Sequence, residues 1–589
     1  MKAQKKNQPK ALNSLQSLNS FVKSICDVMR RSNCASALQY VPELTWILFL
    51  RILDQHEGME RDAAEMVGRD YTPALAAPFR WRDWAAHHDA TQTLDNGLPQ
   101  GWKRKLLTEG RVGALFDFIN GELLPHLRGL SRRPLASPKQ KIIGEIMTAV
   151  EKVRVDSEAN LLDVLDMVGQ INSDQIDTTH LFTLSQVYED LLLRMGEKNS
   201  DGGQFFTPRE VIRAMARVVD PKLGETVYDP CCGTGGFLAQ AYEYMRAALG
   251  EGATGTQIDA LKHDAFFGRE KENLVFPIAL ANLVLHGIDQ PNLWHGNTLT
   301  EMEIYGGLFE NAPSHFDVIL TNPPFGGKEG KTAQDKFPFK TSATQVLFLQ
   351  HLLKALKVGG RCGIVLDEGV LFRTNEEAFV RSKRKLLDEC DLWCVVSLPG
   401  GVFTTAGAGV KTNLLFFTKG RPTTNIWYYD LSDVKVGKKT PLGLARFDDF
   451  FARLPGREES EHSWTVDFTA RLAEARAQAE PHRREEQRLK EKQSRLKETL
   501  AQLKKERIAN ATRIATLNAE LTLADKAARE AAAKAQSIED AAYDIKAVNP
   551  NAKADTDARS SADLIEIITT QGREVTAALD RLKSISARP

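Results

Sequence analysis

The stretch Val227-Tyr228-Asp229-Pro230-Cys231-Cys232-Gly233-Thr234-Gly235-Gly236-Phe237-Leu238 constrains this chain more than any other. A strand ends at Asp229, three glycines close a tight turn, and an apolar-periodic helix opens at Phe237. Residues 180–420 repeat the theme, with helical patterns alternating with short apolar strands at 225–229, 264–268, 316–321, 361–367, 392–398 and 412–418. Glycine or proline lies near most strand ends. The pattern predicts an α/β fold, an open Rossmann-like sheet with helices on both faces. In such a sheet a ligand lies outside the carboxyl ends of the strands.

Asp229, Glu270 and Asn322 all fall at such ends. Glycines at the first of them let the backbone approach a ligand closely. The turn is not GxGxxG and no GKS or GKT follows, so neither a standard nicotinamide site nor a P-loop is indicated. An acidic residue just before the turn suits a ligand with a cationic amino-acid end better than a pyrophosphate. S-adenosylmethionine is such a ligand. Ala265-Phe266-Phe267-Gly268 runs into Arg269-Glu270, which places Glu270 to accept both ribose hydroxyls. Taken alone, the glycine turn also suits other α/β domains.

The strand Phe316–Leu320 ends in Thr321-Asn322-Pro323-Pro324-Phe325. The Asn322 side-chain oxygen and the Pro323 carbonyl can both accept from an exocyclic NH2, because proline removes the competing donor. Phe325 can lie against the ring that carries the amine. Two acceptors pull the nitrogen toward tetrahedral geometry and stabilise positive charge as it attacks a methyl group, so positioning and fixed dipoles suffice. Carbon-5 methylation of cytosine would need a cysteine nucleophile in a Pro-Cys pair. The one such pair, Pro230-Cys231, lies inside the glycine turn, which favours an exocyclic nitrogen without excluding carbon. A base in duplex DNA reaches such a site only when turned out of the stack. Phe372 is a candidate second wall for it, and the loop Gly326-Gly327-Lys328-Glu329-Gly330-Lys331 reads as flexible, free to close over a base or touch phosphate.

A chain of 589 residues exceeds one core. Lys plus Arg and Asp plus Glu both number 77, so any nucleic-acid contact is local or shared with a partner. No apolar run is long enough to span a membrane and no leader pattern opens the chain, so a cytoplasmic protein is expected. The seven cysteines form neither a zinc pattern nor a disulfide framework, and no metal is expected. Residues 1–165 read as a mainly helical domain, with helices at Leu18–Met29 and Leu44–Leu53. There Trp81 and Trp84, with Arg80, Arg82 and His87, form either a packing cluster or a nucleic-acid surface. Residues 166–470 hold the α/β domain. Trp427, Tyr428, Tyr429 and Phe447, Phe450 and Phe451 are assigned to packing at its edge. From 471 to 589 charge of both signs surrounds Leu489, Leu496 and Leu503, a heptad spacing that predicts a long helix for a coiled coil or an arm against another subunit. A second pattern at 561–585 can fold back on it.

Together these segments resemble the modification (methyltransferase) subunit of type I restriction-modification systems, over about residues 40 to 460. Gly203-Gln204-Phe205-Phe206-Thr207-Pro208-Arg209 corresponds to the family's segment over the methionine part of the ligand. Asp229 through Phe237, with Gly233, Thr234, Gly235 and Gly236, matches its glycine motif, and Phe267-Gly268-Arg269-Glu270 its ribose-binding segment. Asn282 through Ile288 and Leu398-Pro399-Gly400-Gly401-Val402-Phe403 also match, and Asn322-Pro323-Pro324-Phe325 is its catalytic tetrapeptide. Asn297 stands where Asp usually holds the adenine amine, and Asp367 where proline is usual. The segment from Glu251 to Asp264 is longer or more polar than a helix-to-strand link needs.

The resemblance implies S-adenosylmethionine as cofactor and adenine N6 in double-stranded DNA as target. Phe325 with Phe372 as base pocket is the reading of the residues themselves, an ordinary core aromatic at 372 being the alternative. The resemblance also implies two such chains assembled with one DNA-specificity subunit, reached through the C-terminal arm, and association with a restriction subunit that translocates DNA. N4-cytosine methylation uses nearly the same corner. Methylation of a protein glutamine or an RNA base, and a non-catalytic scaffold, are further readings.

Overall fold

The computed structural model describes residues 15–551 apart from 67, 172–206, 251, 306–307, 310–311, 404–409, 438–439 and 506–510, together with turns of helix within 565–579. Gln204, Phe205 and Phe206 lie outside the described residues. A two-stranded ribbon, β1 (Asp89–Thr93) with β2 (Pro99–Gln100), decorates the helical N-terminal region. The main sheet comprises β3 (Val227–Asp229), β4 (Phe266–Glu270), β5 (Asn292–Asn297), β6 (Met302–Tyr305), β7 (Phe316–Thr321), β8 (Leu356–Asp367), β9 (Cys390–Ser397), β10 (Thr412–Lys419), β11 (Asn425–Asp430) and β12 (Ser463–Asp467).

Its order is β12-β11-β9-β10-β8-β7-β3-β4-β5-β6. The run β5-β4-β3-β7-β8 is parallel. Strand β10 lies antiparallel between β8 and β9, and the edges β6 and β12 are antiparallel too. From β3 the chain moves outward through β4 and β5, then returns to β7 on the other side. The switch point between β3 and β7 is where an open α/β sheet holds its ligand. The six expected strands all form. Four more join them, including β11, which carries Trp427, Tyr428 and Tyr429 within the sheet and not merely against its edge.

Alternation along each strand sorts side chains to the two faces. Val227, Val318, Leu320, Phe416, Trp427 and Tyr429 join the core that contains helices Arg209–Val219, Gly236–Leu249 and Val275–Leu285. Tyr228, Ile319, Leu415, Phe417, Ile426 and Tyr428 join the opposite core, beneath helices Thr344–Ala355 and Glu377–Glu389. Every residue of Val275–Leu285 is buried. A helix apolar all round must be covered on all sides, and the N-terminal helices Ala37–Met66 and Pro138–Met147 pack against its outer side. Trp81 and Trp84 are a packing cluster: both are buried, edge to face at 6.0 Å, while Arg80 pairs with Asp83 and Asp95 and Arg82 with Asp54.

The C-terminal arm is two helices, Phe468–Lys505 and Ala511–Ala541, not one. They run antiparallel: Arg483 bonds Gln536 and Glu539, while Gln493 reaches the Ala524 carbonyl. Leu500 is buried on the first helix, but beyond Ala475 the other buried residues described along the pair are alanines: Ala479 on the first helix and Ala524, Ala528, Ala531 and Ala535 on the second. Leu489, Leu496 and Leu503 are only half-buried. Past the second helix, Ala542, Tyr543, Ile545 and Ala547 are buried in the core under Thr344–Ala355 and Glu377–Glu389. The segment Glu251–Asp264 resolves into a helix, Gly255–His263, whose Thr254 and Gln257 form a reciprocal capping box.

Candidate functional site

The carboxyl ends of β3, β4, β5 and β7 open into one cleft, with a cavity of about 220 Å³. Thr207, Asp229 to Thr234, Gly236, Phe237, Glu270, Asn297, Asn322 and Pro324 all line it. The turn after β3 needs its glycines. Gly233 and Gly235 hold φ of 54° and 82°, and a Cβ on Gly235 would press on the Leu283 side chain at 3.2 Å. The turn is tied down from behind, where buried Asn282 donates to the Thr234 carbonyl at 2.9 Å.

Two carboxylates sit under the turn. Asp229 is fully buried; its Oδ1 accepts from the Thr321 hydroxyl at 2.7 Å and from the Cys231 N–H at 3.2 Å, while Oδ2 has no partner. Burial outweighs both bonds and raises its pKa to about 7. Glu270 accepts at Oε2 from Gly233 N–H at 2.9 Å and at Oε1 from the Lys271 and Glu272 N–H groups at 2.8 and 2.9 Å. It too is raised to about 7 by burial. A carboxylate has about four acceptor positions, so Glu270 braces the turn and keeps one for a ligand, where two had been expected. Asn297 also works locally, its Oδ1 accepting from Leu299 N–H at 2.9 Å.

Strand β7 delivers the second half of the site. Asn322 donates from Nδ2 to the Thr207 hydroxyl at 2.9 Å, and its buried Oδ1 has no partner. The preceding residue, Thr321, links this corner to Asp229. With its proton given to Asp229, the Thr321 oxygen accepts the Cys231 thiol, at 3.2 Å. Burial and then the Asp229 charge raise Cys231 well above the ordinary thiol range. A thiol held protonated is a poor nucleophile, which weakens the carbon-5 reading. Pro323 is buried and its carbonyl accepts from Gln345 Nε2 at 3.3 Å. Phe325 meets the buried Phe403 edge to face at 5.3 Å, so the tetrapeptide and Leu398–Phe403 converge on one aromatic wall.

Phe372 stands apart from that wall. It ends a short helix, Glu368–Phe372, after β8; it is 45% exposed and absent from the cleft lining. Asp367 replaces the usual proline as the N-cap of this helix, accepting from Val370 N–H at 3.0 Å. The loop after Phe325 is pinned at several points. Glu329 N–H donates to the Ser342 carbonyl, Thr344 N–H to that of Gly327, and Gln334 to that of Glu329. Ala333 and Phe337 pack with Leu299, Leu347 and Phe348. Gly327, Lys328 and Glu329 form part of the cleft wall. Thr321, Gln345 and Phe403 are additions to the expected site residues; Thr321 and Phe403 lie within segments the sequence marks, and Gln345 does not.

Comparison with known proteins identifies the family of the chain. Residues 180–476 match the family described as N-6 DNA Methylase, and residues 18–100 the HsdM N-terminal domain. The methylase subunit of the type I restriction enzyme EcoEI from Escherichia coli is 32% identical over 469 residues, covering 76% of this chain and 87% of that one. The chain belongs to the type I methylase subunits. The StySJI methylase subunit of Salmonella typhimurium is also 32% identical, over 75% of this chain and 78% of its own. A solved chain from a study of complex assembly and conformational transition in a type I R-M system superposes with a TM-score of 0.64. It is 31% identical and covers 98% of this methylase subunit and 100% of that chain. Among the described residues no helix is long and apolar enough to cross a membrane, and no group of His, Cys, Asp and Glu is arranged for a metal ion.

Proposed function

We propose that this methylase subunit transfers a methyl group from S-adenosylmethionine to the N6 amine of adenine in double-stranded DNA, as the modification subunit of a type I restriction-modification complex. The observation that carries the reading is Asn322: half-buried at the end of β7, fixed through Nδ2 by Thr207, its buried oxygen left without a partner at the cleft. A buried acceptor left open costs free energy, about 1–3 kcal/mol, and a target NH2 would satisfy it.

S-adenosylmethionine, when bound, supplies an electrophilic methyl on a sulfonium. Its amino-acid end suits the unpartnered Oδ2 of Asp229, and its ribose the remaining acceptor of Glu270. Thr207 and Pro208, with the segment that precedes them, are assigned to its methionine part, and Gly233 to Phe237 and Asn297 to its remaining contacts. Asn322 and the Pro323 carbonyl accept from the two N–H bonds of the amine. They hold its lone pair toward the methyl and stabilise the charge that develops on nitrogen. Phe325, braced by Phe403, offers a face for a base turned out of the duplex. Phe372 is assigned to the entry side, consistent with its exposure. The arm is assigned to a DNA-specificity subunit, with two methylase chains per specificity chain, and a restriction subunit completes the assembly in the cytoplasm.

The test is identification of the product base. DNA methylated by the chain with its specificity partner, digested to nucleosides and resolved by mass, is expected to yield N6-methyl-2′-deoxyadenosine. N4-methyl-2′-deoxycytidine would move the target to cytosine, and no methylated nucleoside would refute the reading.

A further inference from the structure

The geometry points to Gln345 as a positioning residue for the transfer step, one that fixes the direction of the Pro323 carbonyl. The inference rests on the functional reading above. Gln345 opens the helix Thr344–Ala355 and is 3% exposed. Its Nε2 donates to the Pro323 carbonyl at 3.3 Å, and its Oε1 accepts from Asp367 N–H at 3.3 Å. One planar amide thus spans the ends of β7 and β8, the two strands whose carboxyl ends flank the catalytic corner.

The sequence of the corner explains why a side chain is needed there. Asn322-Pro323-Pro324 contains two consecutive residues without N–H groups, so the backbone has fewer ways to anchor itself. The Pro323 carbonyl is buried, and a buried carbonyl requires a partner. An apolar residue at 345 would leave both this carbonyl and the Asp367 N–H unsatisfied. A residue that only donates, or only accepts, would satisfy one of them. Glutamine does both, and its donor occupies one lone pair of the carbonyl and leaves the second for the target amine. The effect on catalysis is geometric: the acceptor is held in direction before the base arrives.

The link continues to the target side. Asp367, whose N–H meets Gln345, also caps the helix that carries Phe372 through the Val370 N–H. Gln345 therefore ties the acceptor for the amine to the segment assigned to base entry.

The test uses the chain assembled with its specificity subunit, with saturating S-adenosylmethionine and DNA, and compares wild type, Gln345→Ala and Gln345→Glu between about pH 6 and 9. Gln345→Ala is expected to lower kcat about tenfold or more, with KM for DNA and Kd for the cofactor within about twofold. Gln345→Glu is expected to lose kcat progressively as pH rises. The protonated carboxyl can donate to the Pro323 oxygen, the ionised one repels it, and burial lifts the titration above the ordinary carboxyl range. That falling limb is absent from wild type, and a role in folding alone would not produce it. A kcat for Gln345→Ala within about threefold of wild type overturns the proposal, as does a Gln345→Glu profile parallel to that of wild type. If Gln345→Ala does not fold, the profile of Gln345→Glu decides, with its cofactor Kd as the check on folding. A wild-type assembly that transfers no methyl group sinks the functional reading and this proposal with it.

Discussion

The arm separates into a base that belongs to the catalytic domain and a distal hairpin that does not, and the two respond differently to deletion. Ending the chain after residue 470 removes Tyr543 and Ile545, which are 3% and 1% exposed, along with the smaller Ala542 and Ala547. Each large side chain contributes about 1.5–3 kcal/mol by burial. The cut also removes the Ile545 carbonyl that accepts from the Tyr428 hydroxyl, leaving a buried donor at about 1–3 kcal/mol. The ion pair Arg384–Asp540 is lost as well, and being partly exposed it adds little. The total, about 4–9 kcal/mol, is comparable with the whole stability of a domain. Excision of residues 487–531 with a short linker instead keeps the buried Ala479 and Ala535 and the Arg483–Glu539 ion pair. In urea unfolding followed by fluorescence, the chain ended after 470 is expected to be unfolded or severely weakened. The excised chain is expected to keep its midpoint and cofactor affinity but to fail to capture the specificity subunit in size-exclusion chromatography. A chain ended after 470 with the midpoint of the full protein would refute the assignment of the base to the core.

Other outcomes follow from the cleft. Because burial raises Asp229 to about 7 and a cationic ligand favours its ionised form, S-adenosylmethionine affinity is expected to weaken as pH falls through that value. Asp229→Asn is expected to flatten the dependence and reduce affinity tenfold or more, roughly the 1.5–3 kcal/mol of a charge-assisted bond; titration calorimetry at several pH values measures both. Thr207→Val removes the acceptor for Asn322 Nδ2 and, with S-adenosylmethionine kept saturating because Thr207 is also assigned to the cofactor, is expected to cut kcat about tenfold; an unchanged kcat would deny Thr207 this role. Phe325→Ala is expected to weaken binding of DNA carrying a mismatch at the target base, with Phe325→Trp milder. Equal losses from the two substitutions, seen by fluorescence of 2-aminopurine at that base, would count against stacking.

How much of this could be read from sequence depends on where the signal was local. Strands β3, β7, β8, β9 and β10 are apolar runs bounded by glycine or proline, and all were legible. Strand β5, Asn292-Leu293-Trp294-His295-Gly296-Asn297, mixes polar and small residues and shows no such run. The antiparallel arm was hidden because its seam is alanine, which hydrophobic spacing built on leucine overlooks. Thr254-x-x-Gln257 is a helix-start signal carried by the sequence itself. At the site, Asp229, Glu270 and Asn322 stand at strand ends as expected, since the parallel sheet itself brings such ends together. Gln345 was not legible, being an ordinary position in an apolar helix. The segment that begins at Thr321 was legible while its bond to Asp229 was not, until the register of β3, β7 and β8 brings these residues together.

The most direct test of the central claim is transfer of labelled methyl to DNA by the assembled wild type and by Asn322→Ala, with S-adenosylmethionine affinity measured on the same preparations. In the proposed mechanism the open Oδ1 of Asn322 serves the transition state and not cofactor binding. The account therefore predicts a loss of turnover of at least about a hundredfold with cofactor Kd within about twofold. Turnover of Asn322→Ala within about tenfold of wild type would contradict it.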